Sequence, residues 1–100
     1  MGKNLRNDPT AVIAHMSNWL SDNTSPGMWT PFALSIRGLA YEVMDEVELA
    51  RMDYVRGLRM YDILKQDVGE EALKRMSTNV KFMKVRMAAL PPPCKFVVDI

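Results

Sequence analysis

Apolar residues recur along this chain at helical spacing, and clusters of capping and turn residues interrupt them. Val12, Ile13, Met16, Trp19 and Leu20 share one side of a first segment. It opens at Asn7-Asp8-Pro9, a carboxylate N-cap followed by proline at a position where the missing N–H costs nothing. The turn formers between Ser21 and Gly27 should end it, so the pattern predicts a helix over 9–22. Thr30-Pro31 repeats the cap-then-proline signal, and no further proline occurs before Pro91. The second segment therefore reads as one long helix over 31–66, about 50 Å at about 1.5 Å per residue. Asp67, with Glu70 three residues on, has a capping-box pattern and opens a third helix over 68–90. Pro91 closes it, because proline disfavours helical geometry in the residue before it.

In the long segment Ile36, Ala40, Val43, Val47, Ala50, Tyr54, Gly57, Tyr61 and Leu64 alternate in steps of four and three. That is the seam of a coiled-coil-like packing, with small residues at 40, 50 and 57 permitting close approach. A second stripe, Leu49, Met52, Met60 and Ile63, lies on the opposite side of its C-terminal half. Burying both sides needs either self-association, most simply a homodimer, or a break near Gly38 or Gly57, since glycine is a poor helix residue. The third helix carries its core stripe on Leu73, Met76, Val80, Met83, Met87 and Leu90. Phe82 and Val85 should point away from it, into a basic face formed by Lys74, Arg75, Lys81 and Arg86. An aromatic in a basic face suits a nucleic-acid contact, a protein contact or the second wall of a dimer.

Charge divides the chain. Residues 41–69 hold seven acids and four bases, whereas 70–100 hold six bases and three acids, so the second and third helices should attract. Glu48–Arg51, Asp53–Arg56 and Asp62–Lys65 add i,i+3 pairs worth a few tenths of a kcal/mol each. The net charge of +1 makes no global case for nucleic acid or an acidic membrane. With 48% hydrophobic and 25% charged residues, the composition is that of a single globular domain, here expected over 1–90. No apolar run reaches the twenty residues of a membrane span. The first ten residues lack the apolar core of a secretory signal, and Arg6 stands where a myristoylation motif needs Ser or Thr.

Dedicated chemistry is hard to find. His15 is the one histidine, which excludes zinc sites built on two imidazoles, and Cys94 is the one cysteine, which excludes an internal disulfide. His15 and Cys94 as a base–nucleophile pair would have to meet from opposite ends of the chain. Glu42, Asp45, Glu46 and Glu48 read as a solvated face rather than a metal site. No glycine-rich phosphate loop occurs. The expectation is a protein without catalytic residues, metal or cofactor, placed in a reducing cytoplasm. Nine methionines suit an adaptable core or binding surface. Trp29, in the connection between the first two helices, is either a lid on the core or an anchor for a partner.

The chain ends in LPPPCKFVVDI. Residues 91–100 read as a polyproline spacer and an apolar tail in which Phe96, Val98 and Ile100 share a side. Such a tail either folds back into a helix groove or docks on a partner, by strand addition or side-chain pockets.

These readings amount to an all-α fold: a three-helix bundle with one long central helix and an extended, proline-rich C-terminal tail. In length and texture the chain resembles the anti-RecBCD accessory proteins of lambdoid bacteriophages, small helical proteins of host takeover. That resemblance implies binding to protein subunits of a host recombination nuclease and modulation of its nuclease activity, in the bacterial cytoplasm. It carries over no functional residue. Two other functions stay open beside it: direct nucleic-acid binding through the basic face of the third helix, and a structural helical dimer in phage assembly.

Overall fold

Capping chemistry and proline set both ends of α1 and the C-terminal end of α4 as the sequence requires. In a computed structural model describing residues 8–23 and 27–91, the chain forms four helices: α1 (Pro9–Asp22), α2 (Thr30–Val43), α3 (Val47–Leu64) and α4 (Glu70–Ala89). The Asp8 carboxylate accepts the Ala11 N–H at 3.1 Å and starts α1. Asn23 ends it, donating its backbone and side-chain N–H groups to Trp19 O. Leu90 is extended (ψ 150°) ahead of Pro91, so α4 stops where the proline demands. Two expected caps are absent. Thr30 accepts the Gly27 N–H rather than capping α2, and α4 begins at Gly69 without the Asp67–Glu70 capping box.

The long central helix is not formed, and the fold has four helices rather than three. The break lies at neither Gly38 nor Gly57 but at Met44-Asp45-Glu46. Asp45 takes a left-handed conformation (φ 63°). Glu46 N–H donates to Tyr41 O at 2.8 Å and Asp45 N–H to Glu42 O at 2.9 Å. This is a Schellman motif, which satisfies the last carbonyls of a helix and turns the chain away. Glycine is the usual residue at its left-handed position; aspartate tolerates that conformation and fills it here. No proline or glycine marks the turn, so residue pattern alone misses it.

The turn folds α3 back antiparallel to α2. Helix α4 returns parallel to α2, as the Asn79–Ser35 and Arg86–Glu42 contacts show by rising together along both helices. Helix α1 runs antiparallel to α2, with Thr10 near Met44 and Ser17 on Arg37. Helix α2 is the hub: it packs on all three others, whereas α1 packs on α2 alone. None of α1's residues is buried.

Ala40, Ala50, Tyr54 and Gly57 of the expected seam are buried, as are Met76, Val80 and Met83 of α4, and Met83 packs on Ala50, Tyr54 and Gly57. Ile36 and Val43 leave the seam and are exposed, because once the chain turns at Asp45 they face the open side of α2. Gly38 and Gly57 stay inside helices, where glycine costs about 1 kcal/mol against alanine, and the reason is close approach. A Cβ on Gly38 would lie 2.7 Å from Tyr54 Cε1, and one on Gly57 2.6 Å from Met83 Sδ.

Replacing Asp45 by glycine removes a Cβ from a left-handed position, where an L-residue costs about 1–2 kcal/mol. The Asp45→Gly variant is expected to unfold a few degrees higher on calorimetry. An Asp45→Val variant, β-branched at the same φ, is expected to unfold lower.

Candidate binding groove

Polar networks position the helices that form the groove. Arg37 on α2 donates Nε–H to Asp53 Oδ2 at 2.7 Å and Nη2–H to Oδ1 at 2.8 Å, a bidentate fork. Its third donor, Nη1–H, reaches Ser17 Oγ at 3.0 Å, tying α1 to the α2–α3 pair. The guanidinium also lies 5.8 Å from the centre of the Tyr41 ring. Asp53 is buried, its side chain 2% exposed. Removing one partner of such a pair costs about 3–5 kcal/mol, because a buried charge is left alone. Hydrogen bonding to Asp53 strengthens the hold of Arg37 on its proton against the desolvation that burial imposes. The expected Asp53–Arg56 pair exists only at 4.0 Å and is secondary to Arg37, whereas Glu48–Arg51 and Asp62–Lys65 form at 3.3 and 3.4 Å.

A second network joins α2, α3 and α4. The Tyr54 hydroxyl donates to Glu42, and Arg86 grips the same carboxylate through Nε and Nη2. Burial alone would raise the Glu42 pKa, but the hydrogen bonds from Arg86 and Tyr54 outweigh it and hold the carboxyl below its ordinary range. Burial, then the hydrogen bond and charge of Glu42, push the Tyr54 phenol far above its ordinary range. Glu42 therefore belongs to the interior and not to a solvated acidic face. A third link, Asn79 Nδ2–H to Ser35 Oγ at 2.8 Å, passes on through Ser35 to Phe32 O.

Held this way, α1 and α2 enclose an apolar trough. Met16, Trp19, Trp29, Phe32, Ala33 and Ile36 line one hollow of about 270 Å³. Ala11, Val12, His15, Met16 and Ile36 line its neighbour of about 440 Å³. Met16 and Ile36 belong to both, so the two lie side by side along the helix pair. Trp29 stands at the mouth, 55% exposed, its ring centre 5.4 Å from that of Phe32. The tryptophan is thus not a closed lid on the core.

The other residues singled out in the sequence separate. Met52 and Ile63 are 47% and 57% exposed on the outer face of α3, and Leu49 is exposed with them, whereas Met60 is half-buried. Val85 is 64% exposed, and Lys74, Arg75 and Lys81 are exposed near it on α4. Phe82 does not point outward: it is half-buried, edge-on to Tyr54 at 6.3 Å and packed on the core, because Tyr54 reaches between α2 and α4 towards Glu42. Arg86 likewise leaves the open basic face for Glu42. Phe96, Val98, Ile100 and Cys94 lie outside the described residues. Among the described residues, no three His, Cys, Asp or Glu side chains gather to hold a metal ion. No helix among them is long and apolar enough to cross a membrane. Reasoning from sequence placed Trp29 but missed its neighbours Phe32 and Ile36. It also assigned Val12, Met16 and Trp19 to an ordinary helix face.

The Tyr54 network makes a pH-dependent contribution. A phenol whose folded pKa is raised stabilises the fold below its unfolded pKa, about 10, and that stability is lost as pH climbs beyond it. The loss is up to about 1.4 kcal/mol per pH unit for one group. The native protein is expected to lose melting temperature between pH 10 and 11 more steeply than Tyr54→Phe, measured by circular dichroism.

No known protein family, curated protein or solved structure matches this chain.

Proposed function

We propose that the protein is a non-catalytic binding module whose α1–α2 trough takes an apolar-faced helix of a partner protein. The observation that carries this reading is α1 itself. It presents Val12, Ile13, Met16, Trp19 and Leu20, yet buries none of them and rests on α2 alone. An amphipathic helix whose apolar side stays partly wet is completed by another element laid into the same groove. Trp29, exposed at the mouth, is the residue type most often dominant in such contacts. The resemblance to the anti-RecBCD accessory proteins supplies the partner: a protein subunit of the host recombination nuclease, whose activity the bound module alters.

A self-association reading has its own support in Leu49, Met52 and Ile63, exposed together on the outer face of α3. Each is about half covered already, so a second copy laid on this face gains roughly half of the 1.5–3 kcal/mol that full burial of such a side chain is worth.

Two measurements test these readings. The purified nuclease complex is expected to bind the immobilised protein, and Trp29→Ala to weaken that binding at least tenfold with an unchanged melting curve, since the indole is largely outside the core. Equal binding by the variant removes the groove reading; binding lost only on deletion of residues 94–100 transfers it to Phe96, Val98 and Ile100. In sedimentation at tens of micromolar the protein is expected to be a dimer, and Met52→Glu with Ile63→Glu to make it a monomer. A monomeric native chain removes the second reading.

A further inference from the structure

Unpaired cations concentrate on one helix of this protein. Among the described residues Arg37, Arg51, Arg56, Lys65 and Arg86 each lie within 4.0 Å of a carboxylate. Lys74, Arg75, Lys81 and Lys84 of α4 do not, nor does Arg59 of α3, and the four on α4 are all exposed. From Ala72 to Ala89 that helix contains no acid, and Glu70 and Glu71, in its first turn, form no ion pair with Lys74. The division follows from the fold: the acidic stretch lies on α2 and α3, where Glu42 and Asp53 are consumed by Arg86 and Arg37.

We propose that the outer face of α4 binds the phosphate backbone of duplex DNA without regard to sequence. Lys74, Lys81 and Lys84 span ten residues, about 15 Å of helix. That length faces about four phosphates of one strand at about 3.4 Å each. Ser77 and Thr78 are exposed between them and add hydroxyl donors of the kind that fix a protein on phosphate. The rest of the face decides against the other polyanion-binding partners. Its one large exposed apolar residue is Val85, too little to insert into a membrane or to anchor a protein. Lysine is also depleted at the centres of protein interfaces. Phe82, the aromatic that would stack on an unpaired base, is turned inward against Tyr54, so the face has no platform for single strands. This surface is separate from the α1–α2 trough, and either can fail without the other.

The test is fluorescence anisotropy of a labelled 20-base-pair duplex of arbitrary sequence, titrated with the full chain at 50 to 200 mM NaCl. Binding is expected in the micromolar range at low salt, with log K falling against log salt at a slope of about −3 for three to four phosphates. Lys74→Gln, Lys81→Gln and Lys84→Gln combined are expected to weaken it at least tenfold and flatten the slope. Arg59→Gln, an exposed cation on α3, is expected to leave it unchanged. Should the triple variant not fold, Lys81→Gln alone is expected to reduce the slope by about one. The proposal is overturned by no binding at 50 mM NaCl, by wild-type binding of the α4 variants, or by equal loss with Arg59→Gln. Tighter binding to phosphatidylserine vesicles or to the single strand overturns it as well.

Discussion

The ring of Tyr54 is the piece on which this fold turns. It is fully buried on α3, it passes under α2 at Gly38, and its hydroxyl ends on Glu42, which Arg86 holds from α4. Three helices therefore meet on one side chain. Any residue larger than glycine at position 38 would force the ring aside, since its Cβ would lie closer than real contacts allow. The carboxylate is equally constrained: with the phenol and the guanidinium both spent on it, Glu42 is a half-buried acceptor whose desolvation is offset by two donor groups. The same geometry draws Phe82 inward and leaves α4 with an outer face of lysines.

Helix α1 is attached by a different principle. Its links to the rest include apolar contact with α2, the Ser17 hydroxyl on Arg37 and the Thr10 hydroxyl on Met44 Sδ. Arg37 is itself held in place by buried Asp53, so this ion pair also aims the donor that reaches α1. With no buried residue of its own, α1 has a smaller share of the hydrophobic stabilisation than the other helices. The groove beside it is open for the same reason. A segment that packs on one neighbour has another apolar side to offer, and Trp29 and Ile36 continue that side across α2.

The apolar groove and the basic face suggest a small protein with two distinct surfaces and an interior devoted to holding them. In the polar networks, Glu42, Asp53 and Tyr54 are each hydrogen-bonded to a side chain of another helix. At the surface, exposed apolar side chains stand on α2 and α3, and unpaired lysines on α4.

Much of this was readable from local sequence. Asp8-Pro9 and Leu90-Pro91 mark helix ends because caps and proline act on their immediate neighbours, and both ends are found where those residues place them. The seam at Ala40, Ala50, Tyr54 and Gly57 and the stripe at Met76, Val80 and Met83 were legible because burial repeats with the helix period. The turn at Asp45 was not. An aspartate in the left-handed region carries no signature, and the reversal it makes is what brings Gly38 against Tyr54. Every partnership across helices was hidden in the same way: Arg37 with Asp53, Glu42 with Arg86, Phe82 with Tyr54. Spacing along one helix says which residues share a face, but what that face meets is decided by the fold, because long-range contacts depend on where the chain reverses.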